Sequence, residues 1–185
     1  MRENLFAGNQ IPGFRGGEYE TMTQEDIVEV SLRDGSYNVG KPSSEKNLRI
    51  EIYNTGKGIG GIVHNHASHS STVAAARREV PPIPDDLAQI AGPSVRVADY
   101  ALPGSKRLVL KTLKALRGRN AVLLANHGAA CIGRDIDQDV LCCQVLEKAC
   151  KSLIEAAFLG AAKGINKLDA WIMHHYYMRK YSKQK

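Results

Sequence analysis

The sequence predicts an α/β fold, one sheet covered by helices, from two observations. Short, uniformly apolar runs, Gly60-Gly61-Ile62-Val63 and Val122-Leu123-Leu124-Ala125, have the length and composition of buried strands. Around them lie stretches with apolar residues at helical spacing, from Ser105 to Leu116 and from about Asp135 to Lys163. With 185 residues and 43% hydrophobic content, the chain fits one globular domain over residues 1–185.

Residues 1 to 18 are glycine-rich without a period, which predicts loop or edge structure. Ile27 to Ser31 alternates and stops at Asp34-Gly35, as a strand before a turn does. Lys41-Pro42-Ser43-Ser44-Glu45 predicts a helix start, with a serine as cap and Leu48, Ile52 and Tyr53 as the buried stripe. After the strand that runs into His64–His66, the Ala-rich segment Ser70 to Arg78 is predicted helical, closed by Pro81-Pro82-Ile83-Pro84. A short helix over Asp85 to Ala91 and a short strand over Val95 to Val97 follow. Val109, Leu113 and Leu116 mark the inner face of the next helix, which Gly118 ends. The long helix is expected to turn Ile136, Val140, Leu146, Cys150, Leu153, Ala157 and Phe158 inward, and a last helix from near Leu168 leads into a basic tail.

No apolar stretch approaches the roughly 18 residues of a membrane span, and the polar start Met1-Arg2-Glu3-Asn4 is unlike a signal peptide. A cytoplasmic protein with no membrane partner is expected. Cys131, Cys142, Cys143 and Cys150 contain no Cys-x-x-Cys pair and read as small hydrophobes in a reducing compartment. The net charge of +6 is compatible with a generally basic surface or with attraction of an anionic substrate. Dispersed basic residues and 6% aromatic content argue against nucleic acid as a partner.

Chemistry concentrates in a split histidine set. His64 and His66 stand two apart on a predicted strand, so their side chains leave the same face. His127-Gly128 follows the second apolar run, and a third imidazole there completes the usual ligand count of a catalytic zinc site with an open position. His69 is expected to face solvent or cap the following helix, with support of a ligand histidine as the other reading. His174 and His175, diverging by about 100° on a helix, make a poor chelating pair. Glu45 admits two readings: a general acid/base beside a phosphate site made by Ser43 and Ser44, or an acidic residue favoured by the helix dipole.

These segments together resemble the class II aldolase/adducin family. The resemblance rests on Lys41-Pro42-Ser43-Ser44-Glu45, Ile52-Tyr53, Val63-His64-Asn65-His66-Ala67-x-His69, Tyr100-x-x-x-Gly104-Ser105 and Leu123-Leu124-x-Asn126-His127-Gly128, within residues 15 to 160. The string His64-Asn65-His66-Ala67-x-His69 and the run Arg78-x-Val80-Pro81 are most similar to its fuculose-phosphate aldolase branch. The resemblance implies a central, mostly antiparallel sheet covered by helices. It also implies one Zn2+ per subunit at His64, His66 and His127, with Glu45 as acid/base and Ser43 and Ser44 on the phosphate. The activity implied is cleavage of a ketose 1-phosphate, with zinc as Lewis acid, to dihydroxyacetone phosphate and an aldehyde. A homotetramer with sites at subunit interfaces is implied as well.

Several positions depart from that pattern. The family's amino-terminal helix and first phosphate loop are expected to be absent or shortened. Gly16 matches the glycine of a second phosphate loop, but Arg15 precedes it where threonine is expected. Arg15 still offers a guanidinium for phosphate. Arg49 replaces a common histidine, and Asp85 stands where a tyrosine reaches the neighbouring site. Tyr176, Tyr177 or Tyr181 is a candidate cover for the site, or simple helix packing. Alternative outcomes of the same family are a zinc-dependent dehydratase, decarboxylase or epimerase, and a non-catalytic adducin-like module.

Overall fold

A computed structural model describes residues 4–8 by their backbone, together with residues 23, 27–38, 42–55 and 58–180. The chain divides into two units: residues 1–57 with 102–109, and residues 58–101 with 110–185.

In the first unit the alternation at Val28 and Val30 does what period-two patterning dictates. Strands β1 (Asn4–Gly8) and β2 (Ile27–Ser31) pair antiparallel, from Asn4↔Ser31 to Gly8↔Ile27. Val28 and Val30 are buried with Ile50 of helix α1 (Lys46–Thr55), and Leu32 and Tyr53 pack against them. Leu48 and Ile52 are also buried, as their spacing predicts. The turn after β2 is closed by Asp34, whose carboxylate accepts from Ser36 N and Oγ, and Gly35 takes φ +71° there.

The second unit is built on a four-stranded sheet in the order β3-β6-β5-β4, made of β3 (Gly61–Asn65), β4 (Arg96–Ala98), β5 (Ala121–Leu124) and β6 (Gly128–Gly133). Two of its pairings are antiparallel and β4–β5 is parallel, so the sheet is mostly antiparallel as expected. Helices α2 (Ser68–Ala75), α3 (Asp85–Ile90), α5 (Ile136–Phe158) and α6 (Lys167–Lys180) complete it. Helix α4 (Lys106–Leu116) spans the boundary between the units. The core joins Val73, Leu87, Val95, Leu123, Cys131, Leu146 and Cys150. Cys131, Cys142 and Cys150 are buried, Cys143 is half-buried, and all four thiols are free.

Strand β6 is not signalled by its sequence. Gly128-Ala129-Ala130-Cys131 neither alternates nor carries the β-branched residues that favour strands. Its small side chains suit a central strand under a close helix: a Cβ on Gly133 would stand 2.7 Å from Asp139 N.

Helix α5 also differs from expectation. Its buried face is Asp139, Cys142, Val145, Leu146, Ala149 and Cys150, while Ile136, Val140 and Phe158 are 57%, 42% and 85% exposed and Ala157 is exposed too. Its amino-terminal end lies against the sheet, where a Cβ on Gly133 would stand 2.9 Å from Asp135 O, so Ile136 is exposed by the direction it faces on the helix. Val140 lies beside the buried stripe, not in it. The helix stops at Phe158, short of Lys163, where Gly160 adopts φ +119°.

On α6, His174 is buried and donates Nδ1–H to Gln89 O at 2.8 Å, tying this helix to α3. Burial pushes His174 below the usual histidine range. His175 instead bonds Trp171 O one turn back. Among the described residues no helix is long and apolar enough to cross a membrane.

Candidate metal centre

Strand register brings the histidine set together. In the β3–β6 ladder His64 faces Ala130 and Asn65 faces Ala129, so the end of β3 lies beside the start of β6. The β5–β6 hairpin turns through Ala125-Asn126-His127, closed by His127 N–H donating to Leu124 O at 3.0 Å. Asn126 takes φ +56° there, a left-handed conformation that asparagine tolerates. Its Oδ1 accepts from the Arg77 guanidinium at 3.1 Å. The three imidazoles therefore converge: centroids are 4.8 Å apart for His64–His66, 4.9 Å for His64–His127 and 5.2 Å for His66–His127.

One ligand nitrogen from each histidine lies within 4.8 Å of the others. His64 Nδ1 is 2.8 Å from Ala129 O. A carbonyl oxygen only accepts, so Nδ1 carries the proton and Nε2 keeps its lone pair. Three imidazole nitrogens within 4.8 Å of one another, with solvent-exposed His66 among them, fit a divalent ion that keeps an open coordination position.

Gly128 makes this approach possible. A Cβ there would meet the Asn65 carbonyl oxygen and stand 2.6 Å from His66 Cδ2. Gly128→Ala is therefore expected to displace the His66 ring and weaken metal binding at least about tenfold, measured by competition with a chelator.

The other expected site residues divide. In the first unit Glu45 is buried immediately before α1, outside its first turn. Ser43 Oγ accepts from Glu45 N at 3.2 Å, which makes the turn before α1, and Ser44 is exposed. Gly104 (φ +73°) comes so close that a Cβ would be 3.1 Å from Ser44 O, so two motif segments meet here. Arg15, Gly16 and Tyr181 lie outside the described residues. Asp85 is exposed at the start of α3, Tyr176 is half-exposed and Tyr177 partly buried.

Glu147 is the residue that sequence reasoning missed. Its carboxylate on α5 accepts from His69 N, His69 Nδ1 and Ser70 N at 2.7–2.8 Å. Burial raises the Glu147 pKa, but the two backbone N–H groups and the His69 ring outweigh it and leave it below the ordinary glutamate value. His69 thus does sit at a helix start, but the cap is supplied from 78 residues away.

The family description "Class II Aldolase and Adducin N-terminal domain" matches residues 15–154. The chain belongs to this family. An L-fuculose phosphate aldolase of Methanocaldococcus jannaschii is 32% identical over 130 residues, 70% of each chain. The 5-deoxy-D-ribulose 1-phosphate aldolase of Bacillus thuringiensis is 38% identical over 115 residues, 61% of this chain and 53% of that one. The present chain thus spans about half the length of that relative. A solved L-fuculose 1-phosphate aldolase superposes with a TM-score of 0.86 at 27% identity, over 95% of this chain and 81% of the other. These likenesses place the chain among the class II aldolase lyases of the family.

Proposed function

We propose that this protein is a zinc-dependent aldolase that cleaves a small ketose 1-phosphate, similar to L-fuculose 1-phosphate, into dihydroxyacetone phosphate and an aldehyde. The observation that carries this reading is the convergence of His64, His66 and His127 on one point. An ion held there supplies Lewis acidity toward the carbonyl and hydroxyl oxygens of the substrate. Glu45 is assigned the proton: it takes it up and returns it at the carbon freed when the carbon–carbon bond breaks. Its burial supports that role, because a shielded carboxylate exchanges protons with bound substrate in preference to bulk water. Ser43 and Ser44 are assigned to the phosphate. Ser43 Oγ already accepts from Glu45 N, so its hydroxyl hydrogen is directed to another acceptor. The backbone N–H groups opening α1 add to an anion site, and Arg15 and Gly16 are assigned to the same group. Family resemblance further supports one domain over residues 1–185, a cytoplasmic homotetramer and sites at subunit interfaces.

The test is release of dihydroxyacetone phosphate from L-fuculose 1-phosphate, 5-deoxyribulose 1-phosphate and their unphosphorylated forms, with zinc-loaded protein. Cleavage confined to phosphorylated ketoses, and abolished by a chelator, is expected. No cleavage of any of them by metal-loaded protein rejects the reading.

A further inference from the structure

Helix α2 begins two residues after the ligand His66, and its N-cap has no acceptor side chain. Ala67 occupies that position with extended backbone (φ −60°, ψ 148°) and makes no side-chain cap. The first N–H groups of a helix have no partner within it and need an outside acceptor. Here the acceptor is Glu147: Oε1 takes His69 N at 2.8 Å and Oε2 takes Ser70 N at 2.8 Å. His69 Nδ1 adds a third bond to Oε1 at 2.7 Å. Bonds to an ionised carboxylate are about twice as strong as neutral ones. The cap also joins α2 to α5, an element remote in sequence.

His66 is the ligand nearest this arrangement in the chain, two residues before α2. It is exposed, whereas His64 and His127 are partly buried, and its ring rests on the other two imidazoles. Its backbone is fixed from both sides as well. Upstream, Asn65 is in the β3–β6 ladder and its Oδ1 accepts from Ala67 N at 3.2 Å. Downstream, Ala67 O accepts from Ser71 N and Ser70 Oγ within α2, and Glu147 holds the next two N–H groups from α5.

We infer that Glu147 is a positioning residue for the metal centre, holding the start of α2 against α5 so that His66 stays aligned with His64 and His127. The inference rests on the metal reading above. It assigns Glu147 no contact with substrate or ion.

Cobalt(II), whose visible absorption reports its ligand geometry, is the probe, used on the full chain together with thermal denaturation of the metal-free protein. The parent is expected to bind cobalt, and His64→Ala to lose it. Glu147→Ala is expected to weaken cobalt binding by about 10- to 100-fold, the usual effect of losing a group that orients a ligand, with an altered absorption band. Adding Ala67→Ser to Glu147→Ala gives α2 a cap of its own. That double variant is expected to regain thermal stability while cobalt binding stays weak, because the tie to α5 remains broken. Affinity in Glu147→Ala within twofold of the parent, or affinity restored by Ala67→Ser along with stability, overturns the inference. Should Glu147→Ala fail to fold, Glu147→Gln keeps the size and one acceptor, and parent-like affinity in it overturns the inference equally. Absence of cobalt binding in the parent, or undiminished binding in His64→Ala, rejects the metal reading itself. Loss in His64→Ala with no change in Glu147→Ala rejects only the role of Glu147.

Discussion

His64→Ala is expected to abolish metal retention and to lower aldol cleavage by roughly a thousandfold or more, since a catalytic metal is worth several kcal/mol at the transition state. His64 has no substitute: its Nε2 is set by the bond from Nδ1–H to Ala129 O, and the remaining imidazoles leave a two-ligand site. Removing the ring also deprives the Ala129 carbonyl, on a fully buried residue, of a donor. A stability loss of about 1–3 kcal/mol is expected from that source. Metal content, dihydroxyacetone phosphate release and thermal denaturation measured together separate the two effects. A variant that retains stoichiometric metal or parental turnover rejects the ligand assignment.

Glu45→Gln is the second large effect. The amide preserves size and fills the same buried position but neither takes up nor returns a proton. Turnover is expected to fall by about 10²–10⁴-fold, the range for a lost general acid/base, while metal content stays parental. Steady-state kinetics on metal-loaded protein check this, with the loss expected in kcat rather than KM. An unchanged kcat removes Glu45 from the chemistry and returns it to the turn before α1, where Ser43 Oγ holds its N–H.

Much of this was legible from local pattern. Alternation at Val28 and Val30 and the apolar run at Val122–Leu124 each express a physical period of a single element, and the structure follows them; the spacing of His64 and His66 brings the two rings together although β3 ends at Asn65. What was not legible depends on partners distant in sequence. Strand β6 has no strand-like composition, and its pairing with β3 and β5 overrides its weak propensity. The inner face of α5 differs from expectation at Ile136, Val140 and Phe158 because apolarity alone does not say which apolar positions of a helix face the core. Glu147 looked like any surface glutamate on a long helix. Its function as a cap becomes visible only when α2 lies beside it, since Ala67 itself gives no capping signal. Gly128, by contrast, was present in the histidine motif, but the reason for it is steric and emerges from the closeness of Asn65 and His66.

The placement of α5 has a thermodynamic consequence. Near one end it lies so close to the start of β3 that a Cβ on Gly61 would stand 3.0 Å from Asp135 O, and further along it holds the start of α2 through Glu147. The segment bearing two of the three imidazoles is thus splinted at both ends by one helix, and local opening of either should release the other as a cooperative unit. Any ion bound by the histidines then favours the closed form of that whole unit by mass action, amounting to about 2.7 kcal/mol at a hundredfold excess over the dissociation constant. On the proposed reading, a metal bound there would be a folding ligand as well as a reagent, and the amide protons of α5 are expected to exchange more slowly when it is bound.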